Sequence, residues 1–308
     1  MAELINKQIL EKAFLSYNPK FNYIADEILT LVNVSQSGEN YNIYDSFSLK
    51  PEDDIEGNSG AKIVEDTVRA VQRASYSTIS RGLKSFIKDE DRKSMNDAEL
   101  FDLLLDKIGA IKEKLLLNKE IRVANLIENN GNSTSPTTKW DASNPTIEKD
   151  IREAIASFED YAGITPNLII IPKPVWDTMV MDETLRNVWL LVPSSADKNK
   201  IKLSSLLNML FDNFEKIIIP NAKKDTTKKG KAQSLSYVWT SDTVALLYYT
   251  PIGTRETFTW GANFKYQDFK IRQWREEDPE GVWVKVSYQT DEKVVCSNAI
   301  YKLTDVLT

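Results

Sequence analysis

Between Asn96 and Asn129 the chain carries an apolar pattern too long and too regular for anything but one helix. Asn96-Asp97-Ala98-Glu99 offers a capping acceptor three residues ahead of a Glu that can return the bond, and acids crowd the first turn. Apolar residues follow at Leu100, Leu104, Ile108, Ile111 and Leu115, continue through Leu116, Leu117 and Ile121, and end with Val123, Ala124 and Ile127, without a proline. Asn129-Asn130-Gly131 supplies a stop that tolerates left-handed backbone. About 33 residues at about 1.5 Å each make a rod of about 50 Å. The usual globular helix has about 11 residues. Such a rod is either a bundle or coiled-coil arm or a spine along which a flat, elongated protein is laid out.

Composition narrows the function. With 308 residues, 42% of them hydrophobic, the chain can bury a real core as two domains or one large elongated one. No apolar run is long enough to span a membrane, and the charged start MAELINKQILEKAFLSYNPK reads as no secretory signal, so synthesis in the cytosol is expected. A single cysteine, Cys296, excludes an intrachain disulfide, a redox pair and a thiolate metal cluster within one chain. Histidine is absent, which removes Ser-His-Asp and Cys-His catalysis, imidazole bases and ordinary zinc sites. Carboxylate, lysine or tyrosine chemistry remains, or none. The net charge of −6 opposes tight nucleic-acid binding, although a container whose contents slide past its wall would be served by weak DNA contact.

Along the chain, residues 1–20 predict a short amphipathic helix stopped near Asn18-Pro19, and Phe21 to Val34 an extended or partly helical apolar arm. From Ser35 to about Gly60 a turn, an alternating Tyr41-Asn42-Ile43-Tyr44-Asp45 segment and the acids Glu52, Asp53, Asp54 and Glu56 predict a projecting loop, with a return limb over Lys62 to Ile87. After the long helix, Gly131 to Ser143 reads as a Ser/Thr/Pro/Asn linker and the clearest boundary. An α/β pattern follows. Asn144-Pro145 is read as an N-cap and first helical position, with a stripe of Ile147, Ile151, Ile155 and Phe158 until Gly163. Leu168 to Ile171 is a buried strand stopped by Pro172 and Pro174. A second helix is expected over Val175 to about Val188, a third near Leu203 to Phe211, and strands over Ile217 to Ile219 and Val238 to Tyr249. Phe269 to Trp274 and Val282 to Tyr288 alternate around a turn at Glu277 to Gly281, predicting a long hairpin. Asp291-Glu292-Lys293 then reads as a turn into a last strand, Val294 to Ile300.

In that order these pieces resemble the major capsid protein of tailed bacteriophages, whose fold is shared with encapsulin shells. Phe21-Asn22-Tyr23-Ile24-Ala25-Asp26 through Val34, with Gly38 and Tyr41, is similar to the family's arm leading into its extended loop. Leu115 to Ile127, with Lys119-Glu120, is similar to the end of its spine helix. Trp140, Asn144-Pro145, Asp150-Ile151, Ala154 and Gly163 to Pro172 resemble the approach into the axial domain. Leu210-Phe211 to Pro220, Tyr237-Val238-Trp239 and Ala245 to Tyr248 resemble its later strands, and Phe258-Thr259-Trp260-Gly261 the return to the peripheral domain. The resemblance covers nearly the whole chain from about Phe21. It implies an α+β capsid fold: an N-terminal arm (1–35), an extended loop with its return strands (36–87), a peripheral domain with the spine helix (88–143), an α/β axial domain (144–262), and a peripheral hairpin and C-terminal strand (263–308).

The resemblance further implies a structural subunit that self-assembles as pentamers and hexamers into an icosahedral head enclosing double-stranded DNA without sequence-specific binding. Implied partners are other copies, a portal, and either a separate scaffolding or head-completion protein or no assembly helper; no membrane is implied, and the location is the virion, assembled in the cytoplasm of a bacterial host. An encapsulin-like compartment is the alternative within the fold. Tyr23, Ile24, Ile28, Leu29, Leu31 and Val32 of the arm, and Tyr41, Ile43, Tyr44 and Phe47 of the loop, are apolar with no evident core and are expected to contact other copies. No catalytic, cofactor-binding or metal-ligating residue is expected.

Rival signals read more simply. Asp53, Asp54 and Glu56 lack the alternating ligands of a calcium loop and fit a solvated loop tip. Lys223, Lys224, Lys228, Lys229 and Lys231 have no phosphate-loop glycines around them and fit an exposed loop. Glu276-Glu277-Asp278 beside Trp274 and Trp283 admits a carboxylate glycoside hydrolase, but the tryptophans more simply share one face of a hairpin. Cys296 reads as an inert buried thiol.

Overall fold

The computed structural model describes residues 7–47, 70–185, 214–228 and 230–308. The elements begin with α1 (Lys7–Ser16), α2 (Ala25–Ile28), β1 (Thr30–Asn33), β2 (Gly38–Tyr44), β3 (Ala70–Ser77), β4 (Ile79–Lys88) and α3 (Asp89–Lys93). Then come α4 (Asp97–Glu128), β5 (Asn132–Thr134), α5 (Ile147–Ala162), β6 (Leu168–Ile170) and α6 (Lys173–Met181). The chain closes with β7 (Lys216–Ile218), β8 (Lys223–Asp225), β9 (Leu235–Tyr237), β10 (Val244–Leu247), β11 (Gly261–Glu277), β12 (Glu280–Val294) and β13 (Ile300–Leu303).

Helix α4 runs for 32 residues and starts as its first turn dictates: the Asn96 side chain accepts from the Glu99 N–H, and Glu99 accepts from the Asn96 N–H. Its last carbonyls are satisfied by side-chain donors. Asn129 Nδ2 donates to Asn125 O, Asn130 Nδ2 to Leu126 O, and Lys302 Nζ to Glu128 O, a cation at the negative end of the helix. The helix bridges two cores. Leu104, Ile108, Ile111 and Leu115 pack with Leu10 and Ala13 of α1 and Val282, Val284 and Val286 of β12. Val123, Ala124 and Ile127 belong to the larger core with α5 and the α/β strands.

A four-stranded sheet has the order β1-β11-β12-β4, built on the β11/β12 hairpin with Trp274 opposite Trp283. β4 pairs antiparallel to β12, and β1 pairs parallel to β11 with Thr30 opposite Ala262. A five-stranded sheet has the order β5-β13-β10-β6-β7 and is backed by α5, whose Ile147, Ile151, Ile155 and Phe158 are buried as the stripe predicts. Strands β2 and β3 form a hairpin, as do β8 and β9.

Several expected boundaries move. Asp291-Glu292-Lys293 is no turn: β12 continues to Val294 because the Asp291 carboxylate accepts from the Ser77 N–H and Glu292 pairs with Arg122. The last strand, Ile300–Leu303, inserts between β5 and β10, so the C-terminus completes the α/β sheet rather than a peripheral hairpin. The 131–143 stretch is no free linker. It carries β5 and the buried Trp140, whose Nε1 donates to Asp150. The cap of α5 is Thr146, and Asn144 instead takes left-handed backbone, φ 58°. Val238 to Tyr249 breaks around Asp242, leaving β10 as its ordered strand. Helix α6 starts at Lys173, with Pro174 tolerated in its first turn, and ends at Met181. The helix expected at Leu203 to Phe211 and the acids 52–56 lie outside the described residues.

Gly163 ends α5 at φ 71°, and a Cβ there would strike the Phe47 carbonyl; the bare Cα lets the Phe47 N–H reach Ala162 O at 2.7 Å. Gly163→Ala is expected to cost about 2 to 3 kcal/mol in urea unfolding. Gly230 has φ 89° and open space around it, so Gly230→Ala should cost only about 1 kcal/mol and isolates the collision from the backbone strain.

Candidate functional site

The expectation that the arm and loop contact other copies rests on their apolar residues lacking a core, and the chain itself provides one. Ile24 and Ile28 are 0% exposed, and Leu29 and Val32 are buried in the same cluster as Val123 and Ile127 of α4. Tyr41 and Tyr76 pack on Phe264, the latter ring stacked at 4.4 Å, and Tyr44 and Phe47 pack edge-on against Phe258. The Tyr44 hydroxyl donates to Glu256 O at 2.7 Å. Tyr23, Leu31, Ile43 and Phe47 are half-buried. The ground for a contact role therefore falls for Ile24, Ile28, Leu29, Val32, Tyr41 and Tyr44. The arm's partner strand lies more than 200 positions downstream, where no local pattern points.

Polar side chains on the second half of α4 hold this arm in place. Glu120 is fully buried and accepts from the Ala25 N–H at 2.8 Å and from Trp239 Nε1 at 2.6 Å, tying arm and α/β unit to the spine. Burial pushes its carboxyl above the usual range, against the pull of those donors. Lys119 pairs with Asp26 of α2. Glu113 accepts from the Tyr23 hydroxyl at 2.7 Å and the Tyr17 hydroxyl at 2.9 Å. Burial, then Glu113, raises both phenols, Tyr17 to about 12. Arg122 grips Glu292 of the hairpin through Nε and Nη2. Sequence reasoning reached Lys119-Glu120 as part of the spine's end but gave neither a role. An adjacent Lys-Glu pair on a helix flank otherwise reads as solvated.

These groups tie the arm and the hairpin to the spine. Among the described residues no group of three or more His, Cys, Asp or Glu is placed to hold a metal ion, and no helix is long and apolar enough to cross a membrane. Burial pushes the Cys296 thiol up to about 11. Strand alternation sends Glu276 and Glu277 to opposite faces of β11, so they cannot flank one glycosidic bond. Trp274 and Trp283 share a face, as expected. Lys223 and Lys224 lie on the β8/β9 hairpin, Lys223 over the Tyr237 ring. Among the described residues Leu15, Met181 and Ile252 are each about three-quarters exposed, and Ile79, Leu235 and Tyr161 about half.

No protein-family model and no curated protein matches the chain. Solved structures match it end to end. A phage-related protein from Bordetella bronchiseptica superposes with a TM-score of 0.70 at 17% identity, covering 99% of this chain and 98% of that one. The capsid of Myoviridae phage XM1 gives 0.56 at 12% identity, with 99% of each chain covered. This chain has the tailed-phage capsid fold. A virus-like particle from Pyrococcus furiosus shares that fold at a TM-score of 0.56 and 13% identity, over 96% of each chain.

Proposed function

We propose that this chain is the major capsid subunit of a tailed phage, assembling as pentamers and hexamers into an icosahedral head around double-stranded DNA. The observation that carries this reading is the end-to-end match to a phage capsid, with 99% of each chain covered. The α4 plate and hairpin would tile as the peripheral floor, and the five-stranded sheet with α5 would converge on the symmetry axes by heterologous, ring-closing contacts. Many weak contacts per subunit then add through multivalency. A portal and a separate scaffolding or head-completion protein belong to this reading, as does a virion location. No reaction is assigned. An encapsulin-like compartment is the second reading, and the match to a virus-like particle from Pyrococcus furiosus is compatible with either kind of shell.

Negative-stain microscopy with sedimentation of the purified chain tests both. Closed particles are expected, and a chain that stays monomeric at high concentration removes the shell readings together. DNA in particles isolated from producing cells assigns the phage head, and an enzyme cargo assigns the compartment. A second test addresses the loop. Deleting residues 37–60 would remove the buried Tyr41 and Tyr44, so the informative deletion is smaller. Because Tyr44 and Ala70 are register partners, a short Gly/Ser turn can replace residues 49–68. That variant is expected to unfold cooperatively in urea as the parent does and to form no closed particles; particles of normal size would remove the loop from assembly.

A further inference from the structure

The outer face of the β4-β12-β11 ribbon carries a charge pattern opposite to that of the chain. In register across three neighbouring strands, Lys84 lies opposite Lys285 and Lys285 opposite Arg272. One step along lie Phe86, Trp283 and Trp274, and on the far side of the cation row Gly82, Ser287 and Lys270. Alternation turns these residues away from α4, since the intervening Val282, Val284 and Val286 are buried in the core beneath it.

Like charges directly opposite on adjacent strands destabilise a sheet. Here three stand side by side, about 4.8 Å from strand to strand. The chain has carboxylates to spare, 45 Asp and Glu against 39 Lys and Arg. Arg275, Arg122, Lys265 and Lys293 of the same sheet and its covering helix each have an acidic partner. Among the described residues Lys84, Lys285, Arg272, Lys270 and Lys88 have none. The compensation within the chain is the seat of the Lys84 ammonium 4.0 Å from the Trp283 ring centre.

We infer that this face binds the phosphate backbone of double-stranded DNA. An unpaired cation row on an acidic protein is a local cost that an external polyanion offsets. The cation row spans three paired strands, wider than the two-stranded ribbon that a major groove admits, so its cations reach phosphates and not base edges, and binding is independent of sequence. A protein partner fits less well: Lys is depleted at the cores of protein interfaces, and the aromatic row here is already occupied by the lysine above it. The inference deepens the shell reading, and the choice of double-stranded DNA among polyanions rests on that reading.

The test uses the full-length chain, kept unassembled and checked by sedimentation, titrated onto a short fluorescent mixed-sequence duplex over a salt series. Lys84→Gln/Arg272→Gln/Lys285→Gln is compared with Lys223→Gln/Lys224→Gln/Lys228→Gln, which changes the net charge equally on the β8/β9 hairpin. The face variant is expected to bind about tenfold more weakly or worse at low salt, with a log-log salt slope shallower by about three, near 0.9 per lost phosphate contact. The hairpin variant should bind like the parent. The face variant should also melt no lower than the parent, having lost its like-charge row, so weakened binding cannot be ascribed to unfolding. No binding by the parent overturns the inference, as does equal weakening in both variants. An unchanged affinity with altered self-association in the face variant would assign the face to contacts between copies and overturn it too. Particle formation is scored separately, so failure here leaves the shell reading standing, and the two failures are distinguishable.

Discussion

Trp260→Ala is expected to lower the stability of the unassembled chain by about 5 kcal/mol, a large share of the roughly 5 to 15 kcal/mol that holds a domain folded. Trp260 is fully buried where the chain passes from the α/β sheet into β11, in one cluster with Ile24, Ile28 and Leu29 of the arm. Emptying such a site costs about 3 to 5 kcal/mol in lost transfer energy and cavity. Its Nε1 also donates to Ile28 O at 2.7 Å, satisfying a carbonyl at the end of α2 that would be left buried and unpaired, about 1 to 3 kcal/mol more. Trp260→Phe separates the two contributions, since the ring packing largely survives and the donor does not; about 2 kcal/mol is expected. The measurement is the urea midpoint with the m-value. Equal shifts for the two variants would mean that the hydrogen bond, and not the packing, seats the arm.

That one side chain joins the arm to a segment 232 positions later explains what could and could not be read from sequence. Signals confined to neighbouring residues survive intact: the Asn96/Glu99 cap, the Gly163 stop, the stripe of α5, the apolar run of β6 and the Trp274/Trp283 alternation. Each is decided by groups within a few residues of one another, and the order of these pieces was enough to reach the fold. What failed was strand partnership. The arm's hydrophobicity announces that it must be covered but not by whom, and β11 of the same chain covers it. The charged run Asp291-Glu292-Lys293 resembles a turn because the Arg122 that accommodates Glu292 sits on a distant helix. Trp140 inside a Ser/Thr/Pro/Asn stretch was the legible warning that the stretch is packed, since a tryptophan in a free linker exposes a large apolar ring. The cation row is half legible: Lys270, Arg272 and Lys285 share a face by alternation, but the register that adds Lys84 is not local. A net charge of −6 averages the row away.

Arg122→Ala is expected to cost about 3 to 5 kcal/mol, and Arg122→Met/Glu292→Leu much less than that. The Glu292 side chain is 3% exposed and takes Arg122 Nε at 3.0 Å, Arg122 Nη2 at 3.1 Å and the Thr290 hydroxyl at 2.8 Å, while Nη2 also donates to the Tyr288 hydroxyl at 3.0 Å. Removing the guanidinium alone strands a carboxylate between β12 and α4, away from water and with Lys119, already paired with Asp26, as the cation left nearby. That is the expensive half of breaking a buried pair. Removing both charges and filling the space with apolar side chains leaves no ion to desolvate, so the double variant is expected within about 1 kcal/mol of the parent. The pair also sets an acid limit. Burial pushes the Glu292 carboxyl up, but Arg122 and Thr290 outweigh it and hold the group below its ordinary value. A folded-state value below the unfolded one stabilises the fold above the unfolded carboxylate range, and the contribution is lost as pH falls through the folded value. Urea midpoints should therefore drop more steeply for the parent than for the double variant on the acid side of about pH 4.5, and the two should run parallel above it. Parallel curves throughout would show that Glu292 titrates alike in the folded and unfolded chain. The grip of the spine on the hairpin would then rest on the packing of Leu104, Ile108, Ile111 and Leu115 against the valines of β12.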